Sequence, residues 1–380
     1  TLTINGSQTG QGILNQGTIQ NNGILNVGST TSTGPIGIRN EGTINNNSGG
    51  TVNVDRATDI QLYNSGGTIT NVANINLGAL INVGIIGIKN ESVFENNAGG
   101  TIKIDRFSAG TPNTTAINNI SGSFTNVATI TIGAISGGGC QYGIINNATF
   151  SNNTGGIINM DAVSKAGIKN SSGTFTNQSS ITIGSIASSS VLEGILNESA
   201  FNNNSGGIIA IDRFSGMNSA GIHNSMGTLT NQGTITIGAT AGSGYYGIKN
   251  DAQFNNNSGG VVNIDRSTHE IYNSSGTFTN ESTIIIGMVD LAGYNGVSNY
   301  AEFFNNSGGT INIDRMYDYG IFNFAGTFSN HANINIGNVG YNGAYGIRNY
   351  STFINSSGLI KIDRTAIIAI WNSTGTFTNH

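Results

Sequence analysis

The chain has 380 residues, of which 57 are Gly and 2 are Pro; 9% are charged and the formal net charge is −5. That balance lacks the basic footprint of a nucleic-acid binder, no apolar run approaches the ~18–20 residues of a membrane-spanning helix, and the lone Cys140 excludes an internal disulfide. Apolar residues still make up 37%, so low charge here does not signal disorder.

The chain starts within a pattern, at "TLTI", and enters its first full unit at "GILNQGTIQNNGILNVG" (12–28). The unit has three parts. An apolar residue is followed two places on by Asn (Ile13, Asn15), the same spacing recurs (Ile19, Asn21), and a paired apolar segment closes it (Leu25, Val27). The first apolar position then returns at Ile38, Leu62, Ile88, Ile117, Ile144 and onward to Ile370, in 15 units about 25.5 residues apart. Its Asn partner is present every time, as at Asn90, Asn119 and Asn146. The second column is Ile up to Ile69 and then almost wholly Phe, as at Phe94, Phe124 and Phe150; its Asn partner, as at Asn96, Asn126 and Asn152, is again present in all 15 units.

Within each part apolar and polar residues alternate, as in "TIKI" and "TITI". This is the period of a strand, and no stretch shows a helical period. Three short strands per unit, separated by Gly, Asn and Ser turns, predict an all-β chain: a single-stranded parallel β-helix (β-solenoid) in which each strand pairs with its counterpart one coil away. Coil length favours the right-handed form. At ~4.8 Å per coil the fifteen coils predict a rod about 70 Å long, one continuous solenoid over 1–380 and a segment of a longer repeat protein. Ile and Phe are expected to point inward and stack on their copies. The Asn side chains are expected to form buried ladders, since a buried amide is tolerated only when its donors and acceptors are paired.

The third strand ends alternately in Gly (Gly28, Gly78, Gly133, Gly184, Gly238, Gly287, Gly337) and in Asp (Asp55, Asp105, Asp161, Asp212, Asp265, Asp314, Asp363). Arg follows Asp, as in Asp105-Arg106 and Asp212-Arg213, except where Ala162 stands. The true repeat is therefore a pair of coils, about 51 residues. Carboxylates on every coil would repel by ~3 kcal/mol per pair at an effective dielectric near 20. Skipping one coil separates them by about 9.6 Å, beyond the ~8 Å screening length of physiological salt. That spacing also prevents two of them from sharing a calcium ion.

The departures from the repeat point to no catalytic, cofactor or metal site. His223, His269, His331 and His380 fall in different coils without zinc spacing. Cys140, in "SGGGCQYG", reads as a neutral loop thiol. The off-pattern acids Glu193, Glu270, Asp290, Glu302 and Asp318 are scattered; Asp290 and Asp318 are the best placed for a polysaccharide-processing enzyme, whose chemistry needs two acids within ~5–9.5 Å. Outward Thr-x-Thr pairs such as Thr228/Thr230 are interrupted in alternate coils by residues such as Gln253 and Asn255, which opposes an ice-binding array.

The surface does vary. Tyr-bearing, Gly-rich loops, "GSGYYG", "AGYNG" and "GYNGAYG", place Tyr245, Tyr246, Tyr294, Tyr341 and Tyr345 along one edge, in alternate coils. With the outward residues Phe322 and Trp371 they are candidates for contact with a glycan or a protein.

The segments "GILNQGTIQNNGILNVG" and "GIHNSMGTLTNQGTITIG" (221–238) resemble the Asn-x-Gly-x-Ile repeats of large secreted bacterial β-helix proteins, the filamentous-haemagglutinin-like adhesins and autotransporter passengers. The resemblance implies a non-enzymatic extracellular rod at a bacterial cell surface, used for adhesion or cell–cell contact, or a subunit of a filament or sheath. Its partners would be copies of itself, joined end to end or laterally, or a cell-surface glycan or protein, with no nucleic acid and no membrane span.

Overall fold

The computed structural model describes all residues except 7–8, 81–83, 108–111, 135–138, 186–190, 241–243, 288–292 and 339–342. Among the described residues the chain is all-β, with 45 strands and no helix. It is a parallel β-solenoid of about 15 coils with three strands per coil.

Two compact units divide it, Thr1–Val191 and Leu192–His380. In the first unit, the first strands of the coils run from Gln11–Asn15 to Val163–Asn170, the second strands from Thr18–Asn21 to Thr174–Asn177, and the third strands from Leu2–Ile4 to Ser180–Ile183. Like pairs with like in parallel register: Asn90 with Asn119 and Asn146, Phe94 with Phe124 and Phe150, Ile102 with Ile130 and Ile158. The second unit repeats this from Glu193–Asn197, Ala200–Asn203 and Ile208–Ile211 to Ile368–Asn372, Thr376–Asn379 and Leu359–Ile362. Phe254, Phe278 and Phe303 align there, as do Asn250, Asn273 and Asn299.

The register follows from the side chains. Phe94, Phe124, Phe150 and Phe175 are fully buried and stack ring on ring, with centroids 4.5–4.8 Å apart and planes within 5°. A slip of one residue would turn this column outward and the polar one in. The Asn ladders add a polar lock. Asn90 Nδ2 donates to Asn119 Oδ1 (2.9 Å) and Asn119 Nδ2 to Asn146 Oδ1 (2.8 Å). In the second column Asn96 donates to Asn126 (2.7 Å) and Asn126 to Asn152 (2.8 Å). Each amide also donates to a backbone carbonyl at the bend, as Asn126 does to Ala128 (3.0 Å). These side chains are completely buried yet paired, the condition for tolerating an amide in a core.

The alternating corner has a steric and hydrogen-bonding cause that charge spacing alone does not supply. Gly133 and Gly238 have φ of +68° and +72°, and a Cβ there would lie 2.0 and 1.9 Å from the carbonyl oxygens of Asp161 and Asp265 on the next coil. Only Gly fits. The carboxylate of the Asp coil reaches forward: Asp55 accepts from Leu80 N (3.0 Å), Asp105 from Ala134 N (2.9 Å) and Asp212 from Thr240 N (3.1 Å), each just past the Gly of the next coil. The Arg reaches back. Arg106 donates to Ala79 O and Leu80 O (2.5 and 3.0 Å), and Arg266 to Gly238 O (2.8 Å) and Ala239 O. These Arg residues adopt left-handed φ near +53° and +63°, a conformation costing ~1 kcal/mol, which the guanidinium bonds offset. Asp55, Asp105, Asp161, Asp265 and Asp314 are buried rather than solvated.

Two off-pattern residues are core fillers. The second residue of each first strand is normally Gly or Ala, but Gln61 and Glu270 occupy it and point inside, fully buried. In their coils the residue two places after Asp is small (Ala57, Ser267), whereas other Asp coils place buried Phe107, Val163, Phe214 or Met316 there. The long side chain bonds back to that small residue: Gln61 Nε2 donates to Ala57 O (3.0 Å), and Ser267 N donates to Glu270 Oε1 (3.1 Å).

Candidate functional site

The outward face of the first-strand sheet in the second unit carries the densest aromatic surface. Three columns build it. The first residues of successive strands are Tyr246, His269, Asn295, Tyr319 and Tyr345. The fourth residues are Lys249, Tyr272, Ser298, Phe322, Arg348 and Trp371. The residues just past the ladder Asn include Tyr300, Phe324 and Tyr350. Since strand residues one and four fall on the outward side and coil stacking repeats every rung, rings on neighbouring coils must meet. Tyr246 lies 4.9 Å from Tyr272, Tyr272 5.1 Å from Tyr300, and Tyr300 5.0 Å from Phe324. A second run links Tyr319 to Tyr345 (5.3 Å) and Tyr345 to Trp371 (5.2 Å).

Arg348 sits where the runs converge. Its guanidinium lies 4.2 Å from the Trp371 ring centre, 4.7 Å from Tyr350 and 5.2 Å from Tyr319, within cation–π range. Nη1 donates to the Tyr319 hydroxyl and Nη2 to the Tyr350 hydroxyl. Burial pushes the Tyr246 hydroxyl up to about 12 and raises Tyr272, Tyr300 and Tyr319 above the usual phenol range. Desolvation lowers His269 below the ordinary imidazole value. Of the rings around Arg348, Tyr319 is thereby held in its neutral form.

The sequence-derived candidates are redistributed. Tyr294 is 53% exposed and packs edge-on against Tyr317, itself 70% exposed. Tyr245 is exposed and meets Tyr246 in a T-shape at 4.7 Å. Tyr246 is buried and Tyr345 half-buried, and both begin strands instead of standing on loops. Nor is the edge occupied in alternate coils only, because His269 and Tyr319 fill the levels between. Phe322 and Trp371 join the stripe, half-buried by their neighbours. Tyr341 and Asp290 lie outside the described residues. Missed by the sequence reading were Tyr300, Phe324, Arg348 and Tyr350. The signal was available in "SNY", "FNF" and "RNY", an aromatic directly after the ladder Asn.

A second cluster gathers acids that looked scattered. His223 bridges Glu193 and Asp251, with Nδ1 2.7 Å from Glu193 Oε1 and Nε2 2.8 Å from Asp251 Oδ2; Lys249 also pairs with Asp251 at 3.2 Å. Desolvation opposes the charge on His223, but the two carboxylates win and its pKa is raised. Two acceptors on one imidazole require both nitrogens to carry protons. Cys140 begins a strand and is buried, not a loop thiol, and burial pushes it up to about 12. Glu270 is enclosed; burial pushes it up to about 8, although Gly293 N and Ser267 N donate to it. Among the described residues no group of three or more His, Cys, Asp or Glu could hold a metal ion.

Compared with known proteins, the chain matches no family model, no curated protein and no solved structure.

Proposed function

We propose that the chain is a non-enzymatic, extracellular structural and adhesive solenoid of a bacterial surface protein, and that the aromatic face of its second unit makes the contact. One observation carries this reading. Most of the outward aromatic side chains collect on one sheet face with Arg348 among them, and Tyr, Trp and Arg are the residue types that dominate binding surfaces. The same face of the first unit supports the contrast. There the equivalent positions include Arg39 and Lys89, paired with Glu41 and Glu91, and Tyr63, whose hydroxyl donates to Glu91 at 2.6 Å, beside Leu14, Asn118 and Ile145. The repeat style shared with secreted β-helix adhesins points the same way. Of the acids weighed for catalysis, Glu193 is engaged by His223 and Glu270 is enclosed, which favours the contact reading over an enzymatic one.

The test is adhesion of the purified chain, displayed on beads, to bacterial and host cell surfaces. Beads carrying the wild type are expected to bind, and a Phe322→Ser/Phe324→Ser double variant to lose most of that binding while keeping its β-sheet circular dichroism. Equal binding by both, or none by either, would count against the reading. Hydrolysis of a polysaccharide by the wild type would replace it with the enzymatic one.

A further inference from the structure

We propose that Arg348 and the rings around it recognise a carboxylate on an acidic peptide segment of a partner protein. The inference rests on the contact reading of this face and names its partner class. Wherever the fourth residue of a first strand is a cation with an acid two places on, the two pair: Arg39–Glu41 at 2.8 Å, Lys89–Glu91 at 2.7 Å and Lys249–Asp251 at 3.2 Å. At Arg348 the residue two places on is Tyr350. Among the described residues no carboxylate lies within ion-pair distance of Arg348. Asp318 is not ion-paired with Arg348 but feels its charge and interacts with the same Tyr319 that accepts from it. In this coil a ring stands where those three coils place the acid.

The guanidinium is also held in place. Two phenol hydroxyls accept from its two η nitrogens, and five rings lie within 5.9 Å of its carbon. Of its five N–H donors two are used, and Nε is buried without a partner. One hydrogen remains on each η nitrogen, the two donors that a bidentate carboxylate needs. Fixing the fork beforehand removes much of the ordering cost of binding.

Ring geometry separates peptide from glycan. A sugar stacks on an open aromatic face. Here faces are turned to one another, with Tyr319 and Tyr345 tilted by 26° and Tyr319 and Phe322 by 19°, or are covered by Arg348. The exposed ring at the rim is Phe324, which packs on Phe322 and Tyr350, a surface suited to an apolar side chain beside an acidic residue.

Trp371 is the sole tryptophan and lies directly under the guanidinium, so its fluorescence in the full chain reads the site. Titration with the peptide Ac-Phe-Glu-Phe-NH2 is expected to change Trp371 emission saturably, and Ac-Phe-Gln-Phe-NH2 to bind roughly tenfold more weakly. Arg348→Gln is expected to abolish the difference between the two peptides. Tyr350→Glu restores the arrangement seen at Arg39 and Lys89; it should leave the fold intact and compete out the peptide. Equal affinity for both peptides, no saturable response to the Glu peptide, or Glu-peptide binding unaffected by Tyr350→Glu overturns the proposal, as does tighter binding of trigalacturonate than of the Glu peptide. Adhesion that survives both Arg348→Gln and Tyr350→Glu sinks this inference and leaves the adhesive reading standing. Selective Glu-peptide binding without any surface adhesion does the reverse.

Discussion

Replacing Asn126 tests the ladder on which the register depends. Its Nδ2 donates to Asn152 Oδ1 (2.8 Å) and Ala128 O (3.0 Å), and its Oδ1 accepts from Asn96 Nδ2 (2.7 Å). Asn126→Ala orphans the Asn152 oxygen and leaves Asn96 Nδ2 with only its longer bond, to Thr129 O at 3.3 Å. At 1–3 kcal/mol for each buried group left unsatisfied, the loss is about 4 kcal/mol. Asn126→Asp is worse in a different way. It places an acceptor against two acceptors, and an enclosed carboxylate shifts its pKa up by about 3–5 units, which costs about 4 kcal/mol or more at pH 7. The folded pKa is raised, so this penalty is absent below about pH 4, where the unfolded chain is also protonated, and grows as pH rises. Solenoids unfold by parts, so urea denaturation should be paired with native-state hydrogen exchange at Val127 N and Asn153 N, which bond to Asn96 O and Asn126 O. Exchange there should accelerate far more than at distant coils. Both variants within 0.5 kcal/mol of wild type, or a pH-independent Asn126→Asp, would refute the ladder as a stabilising device.

Other outcomes follow from the corners and the buried acids. Glu270 is pushed up to about 8 from 4.5 by burial, so its destabilisation is nil below pH 4.5, about 3 kcal/mol at pH 7 and about 5 kcal/mol above pH 8. Glu270→Gln, which reproduces the residue at Gln61, should therefore raise the melting temperature at pH 8 and leave it unchanged at pH 4. His223, whose pKa is raised by Glu193 and Asp251, contributes stability that is complete below about 6.5 and lost as pH rises through its folded pKa; His223→Gln should flatten the melting profile over that window. Gly133→Ala meets both a left-handed φ and a carbonyl at 2.0 Å and should cost about 2–4 kcal/mol in urea titration. Gly66→Ala has nothing within 4 Å and should fall within about 0.5 kcal/mol of wild type.

The sequence by itself determined the solenoid, its three strands per coil and the buried columns of stacked Ile, Phe and Asn. A repeat that places like on like makes local alternation and long-range pairing the same information, so Phe94 over Phe124 and Asn90 over Asn119 were legible from spacing. Tertiary structure decided whatever depends on diagonal neighbours. Glu193, His223 and Asp251 come from three coils and different columns, and Arg348 meets Tyr319, Tyr350 and Trp371 across three more. The alternating corner likewise waited for coordinates, because an absent Cβ and a left-handed φ leave no mark in charge spacing. Columns run along the stacking direction and can be read from period alone, whereas contacts between columns depend on how far apart a turn sets two strands and which rotamers the packing admits.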